Sequence, residues 1–150
     1  MSPIDLIAIS SSTKKQIKNG TARQRPKNWM KMPVLYCFST PVDYGRIAAL
    51  IQPFCTENKL VMETDSLKTG SRIQKMVMGF SRWDCAIVVN NIINATELTF
   101  QVLSWFDNAG NNIPIFKLIS HIEKSILSVY PDVIVVEDGQ QKRLADLYRI

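Results

Sequence analysis

The chain has one histidine and three cysteines, Cys37, Cys55 and Cys85, with no CxxC spacing among them. A zinc centre would have no ligand pair to draw on, so no metal and no cofactor is expected. The odd thiols, two of them inside predicted strands, read as buried, reduced side chains in a reducing compartment. Long apolar runs are also missing, since none approaches the roughly 18 residues that a membrane span needs. The N-terminal SPIDLIAISSS carries Asp5 where a secretory signal wants cations. A soluble, cytoplasmic chain without membrane contact is the expectation. Neither Gly-x-Gly-x-x-Gly nor Gly-x-x-x-x-Gly-Lys-Ser/Thr occurs, which removes the dinucleotide fingerprint and the P-loop. A Ser-His-Asp triad would rest on His121 alone, with no elbow motif. His121 reads instead as a surface or helix-start residue.

Acid is scarce at one end. Lys14, Lys15, Lys18, Arg23, Arg25, Lys27 and Lys31 have no acidic residue among them, and Asp5 is the only acid in residues 1–32. The net charge of +5 therefore belongs to this stretch, and the remainder is close to neutral. Residues 1–32 read as a basic, poorly structured arm, and residues 33–150 as a single domain. The arm is either a solvated tail or a contact for nucleic acid or an acidic partner through residues 14–31.

The domain has the 46% apolar content of a globular protein. Compact apolar runs predict strands over 34–38, 60–64, 85–89, 114–119 and 133–136. Helices are predicted from Asp43 to about Asn58, interrupted at Pro53, and from Arg72 to about Arg82. The second of these rests on Ile73, Met76, Val77 and Phe80, spaced i, i+3, i+4, i+7. Further helices are expected over about 96–108, ended by residues 108–112, then over 120–130 and 140–148. Strands and helices in strict alternation predict an α/β fold. The expectation is a flavodoxin-like three-layer sandwich: a five-stranded parallel sheet, order 2-1-3-4-5, with helices on both faces.

In such a sheet, ligands bind at the carboxyl ends of the strands. Those ends offer Phe38, Ser39, Thr40, Asp43, Tyr44, Asp65, Asn90, Asn91, Asn94 and Glu97. Hydroxyls, carboxamides and helix-start N–H groups suit a sugar or a phosphate. Glu97 has a structural reading as well. Asn94-Ala95-Thr96-Glu97 has capping-box spacing, in which the glutamate bonds back to the cap N–H. Asp84 and the three tryptophans, Trp29, Trp83 and Trp105, read as structural.

The run from Arg72 to Leu118 resembles the core of the nucleoside 2-deoxyribosyltransferase-like and TIR-like families. Ile73 and Val77 match their spaced apolar positions, and Asp84 the aspartate before the strand. Asn94 matches the loop asparagine, Glu97-Leu98 the glutamate pair, and Asn112-Ile113-Pro114-Ile115 the final strand. Tyr36 to Pro41 is similar to the families' first strand and ligand-facing loop, so the likeness spans about residues 33–119. It implies cleavage or transfer at an N-glycosidic bond of a nucleoside, nucleotide or NAD, with Glu97 as the catalytic carboxylate facing oxocarbenium charge. Asn90, Asn91 and Asn94 would hold hydroxyls, and Phe38 or Tyr44 would stack on a base. Asn90-Asn91 stands where the transferases usually place an aspartate, and a neutral amide is no general acid or base. That departure favours the alternative: a nucleotide-sensing or protein-interaction module of TIR-like type, forming a homo-oligomer or docking on a protein partner.

Overall fold

The computed structural model describes residues 23–92, 95–105 and 112–148. Among them the chain forms β1 (Val34–Phe38), α1 (Tyr44–Glu57), β2 (Leu60–Thr64), β3 (Gly70–Val77), β4 (Phe80–Ile92) and β5 (Ala95–Trp105). It continues through α2 (Asn112–Val129), β6 (Ile134–Glu137), β7 (Gln140–Arg143) and α3 (Leu144–Leu147). The seven strands make one sheet in the order β2-β3-β4-β5-β1-β6-β7. Every neighbouring pair is antiparallel. The five-stranded parallel sandwich expected from the sequence is therefore overturned, and with it the fold that the family resemblance implied.

One face of the sheet carries the core. Tyr36, Leu98 and Val89 lie side by side across β1, β5 and β4, as do Ile73 and Cys85 across β3 and β4. All are buried, and they join one cluster with Ile47 and Ile51 of α1 and Ile115, Leu118, Ile119, Ile122 and Ile126 of α2. Residues of the opposite parity, such as Val88, Asn90 and Gln101, are exposed. Both long helices thus pack on the same side, which is the α+β rather than the α/β solution. The α2 apolar positions recur at i, i+3, i+4, i+7, i+11, one stripe aimed at the sheet.

Several predicted elements hold their places. β1, α1, β2 and β6 stand where the apolar runs put them, with α1 continuing through Pro53, and the predicted helix 120–130 falls within α2. Asp43 occupies the α1 N-cap position without a side-chain cap bond, and its backbone N–H donates to the Tyr130 hydroxyl at 2.9 Å. The predicted helix at 72–82 and residues 96–105 of the one at 96–108 are strands instead. The rest of the latter, with its predicted end up to residue 111, lies outside the described residues. In β5 a bulge changed the period: Asp84 pairs with Ser104 and Cys85 with Val102, so Leu103 is an extra residue, and Leu98, Val102 and Trp105 fall at helical spacing. In β3 no residue is inserted, because the extra residue at that register shift is Arg82 of β4. Its apparent stripe came instead from Met76 and Phe80, apolar residues exposed about the hairpin. The predicted strand 114–119 belongs to α2, with Pro114 in its first turn, where no N–H partner is needed. The predicted helix 140–148 is divided into β7 and the single turn of α3. The 85–89 run lies within β4 and is covered on one face only, since Val88 is exposed.

A buried polar cluster ties these layers together. Glu123 of α2 is fully buried and accepts from Arg23 Nε at 2.9 Å, Arg23 Nη2 at 2.8 Å and Arg25 Nη2 at 2.6 Å. The hydroxyls of Tyr36 and Tyr148 also donate to it, each at 2.6 Å. Arg23 turns its remaining edge on Glu137 at 2.6 and 2.8 Å. The Arg25 guanidinium also lies 5.6 Å above the Trp29 ring and 5.5 Å above Phe116. Two cations of the basic stretch are therefore inside the domain and add nothing to its surface charge. Burial alone would push the Glu123 carboxyl up. The guanidinium groups of Arg25 and Arg23 outweigh that and hold it well below the usual carboxylate range. Burial and the same carboxylate raise both phenols, so Tyr36 and Tyr148 stay neutral donors.

Glu123→Gln is expected to cost about 3–5 kcal/mol, because it strands a buried guanidinium; the fall in urea midpoint measures it. Tyr148→Phe removes a single charge-assisted bond and is expected to cost about 1.5–3 kcal/mol, which keeps the fold accessible. Glu123 has a folded pKa below its unfolded value of about 4.3. Its contribution is thus complete above that pH and is lost as pH falls towards the depressed folded value. Acid unfolding curves should show this loss in the native protein and lack it in Glu123→Gln.

Candidate functional site

Most of the residues singled out in the sequence gather at one end of the sheet, but the sheet divides them. The C-terminal end of β1 lies beside the start of β5 and the end of β4: Phe38 pairs with Thr96, which pairs with Asn91. One row further in, Cys37, Glu97 and Asn90 are in register and face away from the helices. Phe38 points the other way. Its ring is buried and meets Tyr130 edge-on at 5.1 Å, above a cavity of about 140 Å³ that Ser39 and Thr40 also line. Tyr44 is buried in α1, where burial pushes its phenol up to about 12. It is a core residue, not a base-stacking platform. Asn94 lies outside the described residues.

Asp65 sits in the β2–β3 connection and accepts from the Thr69 N–H and hydroxyl, both at 2.8 Å. These bonds hold its carboxyl below the usual range. It stabilises its own turn. Asp84, matched in the resemblance to a family aspartate, is a buried partner of Arg72 Nε at 2.8 Å and Gln74 Nε2 at 3.3 Å. Glu97 opens no helix. It is half-buried in the middle of a strand row, so the capping-box reading falls with the predicted helix. Cavities of about 340, 140 and 480 Å³ open elsewhere, and Glu97 lines none of them. An antiparallel sheet has no common carboxyl edge, so the crevice that would have focused these residues does not form.

The feature that folding does not account for lies at the other end of β3 and β4. Their hairpin closes through Met78-Gly79, with φ of 53° and 81°. Positive φ at both central residues defines a type I′ turn, which favours Asn or Asp before glycine. The β6–β7 hairpin obeys this rule with Asp138-Gly139 at 50° and 71°. Met78 occupies the same left-handed conformation without a polar side chain to support it, at a cost of about 1–2 kcal/mol. It is also 91% exposed, beside Phe80 at 74% and the exposed Met76. Lys75 and Arg82 flank the tip, and no acid lies between them. The sequence carried one signal for this, a glycine inside the predicted 72–82 helix. The helical spacing of Met76, Val77 and Phe80 concealed it.

No family model matches the sequence, and no curated protein matches it.

The described geometry makes Cys37 a reporter on Glu97. Partial burial, and then the carboxylate beside it, raise its thiol. Glu97→Gln should therefore speed maleimide labelling of Cys37 near neutral pH, and an unchanged rate would contradict the pairing. Cys55, which burial raises to about 11, and the more strongly raised Cys85 should stay unlabelled while the protein is folded. The same substitution should change the unfolding free energy by no more than about 0.5 kcal/mol, as a half-exposed strand position does.

Proposed function

We propose that this domain is a protein-interaction module that seats the β3–β4 hairpin tip in an apolar, acid-rimmed pocket of a partner protein. Met78 carries the reading. It is an unsupported methionine, held in a left-handed turn and almost fully exposed, where the same chain uses aspartate for the same turn. Lys59 and Lys68 share the left-handed conformation, so it is the near-complete exposure of Met78 beside exposed Phe80 that points to a contact. Methionine and phenylalanine are also adaptable anchors for a pocket. The flanking Lys75 and Arg82 supply the complement to acidic groups at its rim. Two cations and three apolar side chains give a lipid surface little hold, because each cation there contributes only about 1 kcal/mol.

Met78→Asp separates folding from binding. It restores the preferred turn chemistry and is expected to raise the unfolding free energy by about 0.5–1 kcal/mol, read from denaturant melts. In the same variant partner capture should be lost. To find the partner, a benzophenone side chain placed at position 80 is irradiated in the protein's own cells. One protein adduct should form, and Lys75→Glu with Arg82→Glu should abolish it. An adduct no stronger than one from exposed Lys59, or one formed mainly with lipid or with a second copy of the chain, overturns the proposal.

A further inference from the structure

Where the C-terminal end of α1 meets α2, an open cavity of about 480 Å³ is lined by Phe54, Glu57, Asn58, Lys117, Ser120, His121 and Lys124. Lys117, His121 and Lys124 are spaced i, i+4, i+7 and so share one face of α2. The His121 ring stacks on Phe54, with centroids 4.6 Å apart and planes 15° apart. Its Nε2 lies 3.0 Å from the Leu50 carbonyl oxygen. A carbonyl can only accept, so Nε2 is the protonated nitrogen and the ring is locked in place. The Asn58 amide is already committed to the Phe54 carbonyl at 2.8 Å. Among the described residues, neither lysine is in an ion pair.

Ser120 supplies the second, independent observation. It is 95% buried by its 5% exposure, and its Oγ has no hydrogen-bond partner among the described residues. A helical serine ordinarily bonds back one turn, as Ser125 does here to the His121 carbonyl at 2.8 Å. Ser120 lines the same cavity as the two lysines, and its unspent hydroxyl, closed off from solvent in this rotamer, is brought to a ligand by rotation about χ1. Leaving a buried hydroxyl unpaired is costly, and a ligand oxygen would remove that cost. Burial pushes the Lys124 ammonium down, which marks it as partly withdrawn from water.

We propose that this groove binds a phosphomonoester, with the phosphoryl oxygens taken by Lys117, Lys124 and the Ser120 hydroxyl. The body of the ligand lies against the Phe54–His121 pair. Two point cations and one neutral donor match a dianion with three acceptor oxygens. The volume falls in the range of small-molecule sites. Glu57 stands on the opposite wall, where its carboxylate repels the ligand and limits affinity. This site is separate from the hairpin tip, and neither proposal depends on the other.

His121 is the only histidine, so its Cε1–H proton gives one assignable resonance that reports on the groove. The full chain is titrated with inorganic phosphate, a nucleoside monophosphate and the corresponding nucleoside, at fixed pH and ionic strength. The monophosphate and phosphate should move the resonance saturably, with a Kd in the millimolar range or tighter, and the nucleoside should not. Lys117→Gln with Lys124→Gln should weaken binding roughly ten-fold or more. Ser120→Ala should weaken binding without loss of stability, whereas Glu57→Gln should tighten it. An unmoved resonance, an equal response to the nucleoside, or undiminished binding by the double-lysine variant overturns the proposal.

Discussion

A single carboxylate holds the parts of this molecule in one arrangement. Glu123 takes bonds from the segment before β1 through Arg23 and Arg25, from β1 itself through Tyr36, and from the segment after α3 through Tyr148. Arg23 extends the grip to the end of β6 through Glu137. Burying two cations and two anions is expensive, and well-packed apolar residues often do as well or better for stability alone. What a fully paired cluster adds is direction. An apolar contact tolerates sliding, while a carboxylate with fixed donors on three sides sets how α2 lies across β1.

That constraint places both long helices on one side of the sheet and leaves the other side without a covering layer among the described residues. The proposed functions occupy the margins of this framework. The hairpin tip lies at the turn that joins β3 to β4, and the groove opens where the C-terminal end of α1 meets α2. Both depend on a rigid base: the tip on the paired strands behind it, the groove on a histidine fixed by stacking and by the Leu50 carbonyl. Loosely held side chains would lose more entropy on meeting a ligand.

How far the sequence could be read depended on how regular each element was. The Val34–Phe38 and Leu60–Thr64 runs, and the helix opening after Asp43, were legible because each follows a single period between clear breaks. β5 was misread because a bulge at Leu103 displaced its apolar positions into a helical rhythm, and β3 because exposed Met76 and Phe80 completed a false stripe with Ile73 and Val77. Once those two became helices, the strands alternated with helices and a parallel sheet followed. The error was thus local in origin and global in effect. Arg23 and Arg25 looked like part of a charge run, since nothing near them in the chain announces an acid a hundred residues away. Of the candidate residues, Phe38, Asn90 and Glu97 do share one end of the sheet, but pleating sends them to different faces. The methionine at the turn and the unspent serine hydroxyl are visible only in three dimensions.

The position of β1 also dictates an order of assembly. It is the first strand made, yet its neighbours are β5 and β6. β3 pairs with β4 across a two-residue turn, whereas β1 has nothing to pair with until β5 has been made, and its other edge waits for β6 beyond α2. Its hydrogen-bonding groups on both edges wait for distant partners, and the loops that close them are among the longest in the molecule. On a ribosome, the first strand made, interior in the finished sheet, is the one that stays unpaired longest.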